Sequence, residues 1–232
     1  MQQRGGSRNM TLEEILQLML DSFFKILIPG LTRTIPLTIL AFSFAMVIAV
    51  ICSLIEYAKV PVLKEIVRFY VWIIRGTPLL VQLLIGFYGL TSIGVKIAPF
   101  TAAVLVFSIN EGAYCSETMR GSLESVSYGQ FEAGYCCGMN YVQIMRHVVL
   151  PQAFRTAFPA LGNSLISMLK DTSLVSNITV TEMLFAAQRI AGRTYQYMAM
   201  YIEVALIYLA FSTILTKVQK WGEQKLNYYG GA

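Results

Sequence analysis

From Thr34 to Ile55 the chain runs for 22 residues without an Asp, Glu, Lys or Arg. An α-helix rises about 1.5 Å per residue, so this run matches the ~30 Å hydrocarbon core of a bilayer. Pro36 falls in its first turns, where a missing N–H is tolerated. The rest of the chain has the same bias: 56% of residues are hydrophobic and 13% charged, against about 25% charged in a soluble domain. The 232 residues leave room for roughly five or six spans of about 20 residues with their connections. No space remains for a soluble catalytic domain.

Five spans are expected. After Thr34–Ile55 the next apolar run covers about Ile66–Leu90, and Arg75-Gly76-Thr77-Pro78 inside it predicts a bend or local unwinding. A third covers about Ile97–Met119, closed by Arg120. A fourth runs from Pro151 to Leu169, and a fifth from Thr194 to Thr216. The mixed stretch between Lys170 and Arg193 reads as an outer-face connection. Lys59, Lys64 and Arg68 place the first connection in the cytoplasm by the positive-inside rule. The N-terminus is then outside and the C-terminus, with Lys217, Lys220 and Lys225, cytoplasmic. Residues 29–232 form one transmembrane domain. Ahead of it, residues 11–28 set Leu12, Ile15, Leu16, Met19, Phe23 and Ile26 at helical spacing among Glu13, Glu14, Gln17, Asp21 and Lys25. That pattern predicts an amphipathic interfacial helix ended by Pro29-Gly30. Residues 1–10 read as a disordered tail.

Several chemistries are excluded. No Gly-x-x-x-x-Gly-Lys-Ser/Thr loop is present, so ATP and Mg belong to a separate chain if they are used at all. His147 is the only histidine, and Cys52, Cys115, Cys136 and Cys137 make no metal-clamp spacing, so no metal site is expected. The cysteines read as reduced thiols acting as small apolar residues. The net charge of +5 fits basic residues at membrane faces rather than nucleic-acid binding. No catalytic constellation appears, so the chain is not expected to be an enzyme.

Between the third and fourth spans lies a polar stretch, 121–151, with Gln130, Glu132, Asn140, Gln143, Arg146 and His147. Phe131, Tyr135, Met139, Val142, Met145 and Val149 fall on one helical face, and Gly138-Met139-Asn140 predicts a turn between two short helices. Glu132 lies near a helix start, where it complements the dipole. Its order is Glu132-Ala133-Gly134, three residues, Gly138, nine residues, then Val148-Val149-Leu150-Pro151. It resembles the EAA motif of ABC importer permeases, with Gly134 for the second Ala and Val148 for Ile. The resemblance implies a cytoplasmic coupling helix seated on an ATPase subunit, carried by Glu132, Ala133, Gly134, Gly138 and Pro151.

A wider resemblance runs from about Thr32 to Asn227. Arg75-Gly76-Thr77-Pro78-Leu79-Leu80-Val81-Gln82 resembles the signature of the polar amino-acid subfamily of these permeases. Asn110-Glu111-Gly112-Ala113-Tyr114 with Glu117 and Arg120, Asn163-Ser164, and Lys170-Asp171-Thr172-Ser173-Leu174 are similar to its later patterns. The segment from Asp171 to Arg193 looks closest to cystine permeases. The resemblance implies an all-α, type I ABC importer permease fold in a bacterial inner membrane. It also implies two ATPase subunits, a second permease copy or sibling, and an external amino-acid-binding protein.

An ionised side chain at mid-bilayer costs roughly 2.5–3.5 kcal/mol on insertion scales, so such residues face cavities or partners. Glu111 and Glu203 lie mid-way along spans and Arg75 at the break. With Thr77, Asn163 and Ser164 they are the candidate substrate-path residues; Glu117 and Arg120, three apart, are expected to pair. Lys170, Asp171, Thr172 and Ser173 are assigned to a gate or subunit interface. L-cystine is the first expectation for cargo, with histidine, arginine, glutamine or an opine as alternatives. A stand-alone channel or secondary transporter is the competing class.

Overall fold

A computed structural model of the chain describes residues 11–228; the tail expected at 1–10 lies outside the described residues. Those residues form helices α1 (Leu12–Pro29), α2 (Ile35–Tyr57), α3 (Leu63–Arg75), α4 (Leu79–Leu84), α5 (Leu90–Ser92) and α6 (Pro99–Glu124). They continue with α7 (Gly129–Cys136), α8 (Tyr141–Ile144), α9 (Leu150–Asp171), α10 (Met183–Thr194) and α11 (Tyr197–Tyr228). No strand occurs among the described residues.

Two expectations about proline fail, and in each a π-turn keeps the helix continuous up to a proline, Pro36 or Pro151. Pro29-Gly30 does not end the first helix: a π-turn over Gly30–Thr34 carries it into α2, making one continuous helix of 46 residues. The separate interfacial helix at 11–28 is therefore not a distinct element. At Pro151 the same device recurs, with a π-turn over Met145–Val149 joining α8 to α9. Proline clashes with the carbonyl four residues back and leaves it without a donor. In both places the residue just before the proline, Ile35 or Leu150, donates five residues back, to Gly30 O or Met145 O. The wider turn makes room for the ring. Pro151 thus sits inside a continuous helical run rather than starting a helix.

The spans are also longer than hydropathy suggested. The turn between α2 and α3 is confined to residues 58–62, with Lys59 and Val62 in the left-handed region (φ 52° and 67°). Arg120 does not close α6, which runs on to Glu124, and α11 begins at Tyr197. Two helical runs, Leu12–Tyr57 and Tyr197–Leu226, are long and apolar enough to cross a membrane, and the broken pair α3 with α4–α5, bent by 102°, makes a third.

The centre is the α2–α6 seam. Ala41, Ala45, Ala49 and Ser53 repeat every four residues along α2 and are fully buried. Facing them, Ala103, Ala113, Cys115 and Ser116 are buried on α6. Small residues let the two backbones approach closely, the usual solution where lipid supplies no hydrophobic drive between helices. The opposite side of α2 leaves Ile39, Phe44, Val47 and Ile51 more than half exposed, an apolar belt that suits lipid or partner helices rather than water.

Candidate substrate cavity and coupling element

The break between α3 and α4 is assembled by its own sequence. Gly76 caps α3, donating to Trp72 O at 3.0 Å. Pro78 has no N–H and takes an extended conformation before α4. The carbonyls freed there need donors, and Gln82, one turn into α4, supplies them. Its Nε2 donates to Ile74 O at 2.7 Å, Thr77 O at 3.1 Å and Thr77 Oγ1 at 2.7 Å, while its Oε1 accepts from Asn110 Nδ2 at 2.9 Å. Gln82 ends the Arg75–Gln82 motif and is not among the site residues expected from the sequence. A polar side chain one turn after a proline break was its signal.

This stitched break walls an open cavity of about 520 Å³ with α6 and α9. Thr77, Glu111, Asn163 and Ser164 line it, as expected from the sequence, and so do Asn110, Tyr114, Ser167 and Asp171. The α9 residues sit at i, i+1, i+4 and i+8, one helical face, a stripe that extends Asn163-Ser164 to the missed Ser167 and to Asp171. Two carboxylates and no base line the cavity. Glu111 is hydrogen-bonded by Ser164 and by the Cys115 thiol.

The other two candidates lie elsewhere. Arg75 turns out of the cavity: its guanidinium lies 5.4 Å over the Tyr114 ring and 3.5 Å from Glu117. Glu203 is buried between α11 and α1, 2.6 Å from Ser22 Oγ. Asp171, assigned to a gate or subunit interface, lines the cavity as well. Thr172 is fully buried, donates to Leu169 O at 2.6 Å and bonds Tyr208. Lys170 is exposed and Ser173 half-buried. Beyond them a 3₁₀ turn, Thr172–Ile178, seats Val175 and Ile178 in the α2–α6 core. Glu182 then caps α10, accepting from Leu184 N and Phe185 N at 2.7 Å and from Tyr208 Oη at 2.9 Å. Burial pushes its carboxyl up to about 7, although those hydrogen bonds pull it down.

The segment with the EAA spacing is two short helices with an elbow. Gly138, at φ 78°, closes α7: its N–H donates to Tyr135 O at 2.9 Å and Met139 N–H to Gly134 O at 3.0 Å, the Schellman arrangement. Asn140 then opens α8 in a capping box with Gln143. Because of the elbow the predicted single apolar face divides. Phe131, Met145 and Val149 are buried, whereas Tyr135 and Val142 are exposed at 52% and 70%. Glu132 and Ala133 are exposed, as are Cys136 and Cys137, which therefore do not act as buried apolar residues.

Between elbow and cavity runs an ion-pair network. Arg120 bonds Glu117 at 3.0 Å, the expected pair, and Glu124 at 2.8 Å; Arg75 adds 3.5 Å to Glu117, and Arg68 lies 3.5 Å from Glu56.

An all-helical chain with an exposed apolar belt, a broken span around a polar cavity and a two-helix elbow beside it is a membrane translocation subunit. The family described as "Binding-protein-dependent transport system inner membrane component" matches residues 41–228, and the chain belongs to that family. It is a multi-pass protein of the bacterial inner membrane without an ATPase motif of its own. It is 47% identical over 210 residues to the L-cystine transport system permease protein TcyB of Bacillus subtilis (strain 168), covering 90% of each. It is 34% identical over 222 residues to the nopaline transport system permease protein NocM of Agrobacterium fabrum (strain C58 / ATCC 33970), covering 91% of this chain and 92% of that one. Among solved structures, a chain of an amino acid ABC transporter with histidines superposes with a TM-score of 0.83 at 35% identity, covering 93% of this chain and 100% of that one.

Proposed function

We propose that this chain is the permease subunit of an ATP-driven importer of a polar amino acid, with L-cystine as cargo. The observation that carries the reading is the cavity: Glu111 and Asp171 supply two carboxylates, no base opposes them, and Thr77, Asn163, Ser164 and Ser167 add neutral hydrogen-bonding groups. Such a wall suits the two ammonium groups of cystine, its neutral donors being left for the two carboxylates that cystine also carries. The 47% identity to a cystine permease supports the same cargo. Histidine, arginine, glutamine and an opine are the alternatives.

In this reading the chain crosses the membrane five times, N-terminus outside and C-terminus cytoplasmic. The spans are α1–α2, α3–α5, α6, α9 and α11. Helices α6 and α9, of 26 and 22 residues, are long enough; their polar residues face the cavity and the ion-pair network, which lowers their hydropathy. The exposed Glu132–Ala133 surface of α7 docks on one of two cytoplasmic ATPase subunits that bind ATP and Mg. Two permease copies, or one with a sibling, enclose the path, and an external binding protein delivers the amino acid. ATP binding and hydrolysis bias the two access states.

The test is uptake of radiolabelled cystine in cells expressing the chain with its ATPase and binding protein, with unlabelled histidine, arginine and glutamine as competitors. Uptake that needs all three components and yields only to cystine is the expected result. Uptake without the ATPase leaves a channel or secondary transporter; component-dependent uptake blocked by another amino acid replaces the cargo.

A further inference from the structure

On the elbow side of Arg75 lies a second cavity, about 560 Å³, whose wall carries five bases and three carboxylates. Most of these charges satisfy one another. Arg120 holds Glu117 and Glu124, and Arg75 adds to Glu117. Glu56, flanked by Arg68 and Arg120, is met at one oxygen only. Its side chain is only 7% exposed, its Oε1 stands 3.5 Å from Arg68 Nε, and its Oε2 accepts no hydrogen bond, with Arg120 Nε too distant at 3.9 Å. A buried carboxylate oxygen without a donor is costly. One turn on, Lys59 lines the same cavity and its ammonium has no carboxylate partner among the described residues.

The two groups have opposite signs. Glu56 Oε2 is buried and lacks a donor, and the exposed Lys59 ammonium is free to take an anion, within one cavity of a size that admits a small molecule. A simple anion such as phosphate meets Lys59 but brings no ammonium to the buried Glu56 Oε2. An α-amino acid carries both complements. The basin also adjoins the membrane cavity: Arg75 lines the basin, and Tyr114, over whose ring it lies at 5.4 Å, lines the membrane cavity. We infer that the basin is a second station for a zwitterionic amino acid, its ammonium on Glu56 and its carboxylate on Lys59, occupied as cargo passes the Arg75–Tyr114 contact. The inference rests on the amino-acid import reading.

Trp72 lines the basin and is 71% exposed, and Trp221 is the other of the two tryptophans. The full chain carrying Trp221→Phe, in lipid nanodiscs, is titrated with L-cystine, histidine, arginine and glutamine while Trp72 emission is followed. A saturable response to at least one of them is expected, with at least tenfold weaker apparent affinity in Glu56→Gln and in Lys59→Gln, and within twofold of the parent in Glu203→Gln, which lies beside Ser22 away from both cavities. The exposed Lys59 variant keeps the test decisive if Glu56→Gln does not fold. A response lost in Glu111→Gln but kept in Glu56→Gln and Lys59→Gln overturns the station, as does an equal response to inorganic phosphate. A flat titration alongside component-dependent uptake overturns the station and leaves import standing. The expected titration alongside an assembled transporter that carries no amino acid keeps the site and sinks the import reading.

Discussion

Ile144 occupies the space a side chain at position 134 needs: a Cβ on Gly134 falls 2.6 Å from Ile144 Cγ1 and 2.8 Å from its Cδ1. Ile144 is itself fully buried beside Leu123 and Phe131, so it has little room to yield. The departure from Glu-Ala-Ala is thus matched by a bulky neighbour across the elbow. Gly134→Ala is expected to destabilise the α7–α8 elbow by about 1–3 kcal/mol and to lower ATPase-coupled uptake. Adding Ile144→Ala should restore part of the coupling. Measuring uptake and ATP hydrolysis in parallel for the single and double variants checks this; full coupling in Gly134→Ala contradicts it.

Glu111 and Asp171 make the cavity wall acidic, with no base among its lining residues. A hydrogen bond to a charged group contributes about 1.5–3 kcal/mol, so Glu111→Gln and Asp171→Asn are each expected to raise the apparent KM for uptake by roughly tenfold to hundredfold. Glu203→Gln, remote from the cavity beside Ser22, should leave KM within about twofold. Initial-rate uptake kinetics on the three variants decide it; a large KM effect at Glu203 alone would reverse the assignment.

The motif order, the break at Arg75–Pro78 and the elbow at Gly138 were legible because each is written locally, in glycine, proline and capping residues whose backbone demands are strong. The direction in which Arg75 and Glu203 point was not. A helix with apolar residues on every side carries no periodicity to say which face meets the cavity. The partner of Glu203, Ser22, lies 181 residues away. The continuity of the helices through Pro36 and Pro151 was hidden for a related reason: the cost of each depends on whether the preceding turn widens, which is a matter of backbone register and not of residue type.

Gln82 holds the break by bonding two backbone carbonyls, the Thr77 hydroxyl and Asn110 at once. Leucine there keeps the volume and removes every donor. The half-buried Ile74 carbonyl left without a partner costs about 1–3 kcal/mol, while the exposed Thr77 carbonyl can turn to water, so Gln82→Leu is expected to lower the unfolding temperature by a few degrees and to abolish most uptake. Gln82→Glu, which offers Thr77 and Ile74 only acceptors, should be no better. Thermal unfolding of the purified variants is the measurement; a parental Tm in Gln82→Leu would show that the break is held by Pro78 and packing instead.

Glu182 ties the start of α10 to α11 through Tyr208 on the connection that follows α9, outside the spans. Its carboxyl is raised from 4.5 to about 7, desolvation outweighing the hydrogen bonds that favour the ionised form. The unfolded chain releases this proton near 4.5, whereas the folded chain retains it to about 7. Between those values the folded state binds more protons, so stability falls as pH rises through that window. The contribution is fully present below about 4.5 and lost above about 7, at most about 3 kcal/mol at 1.36 kcal/mol per unit. Glu182→Gln cannot ionise and keeps one acceptor oxygen for the α10 N–H groups, so it should start from a lower unfolding temperature that declines less between pH 5 and pH 8. Thermal unfolding in nanodiscs at the two pH values compares them directly. An equal decline in both proteins assigns the pH dependence to other groups.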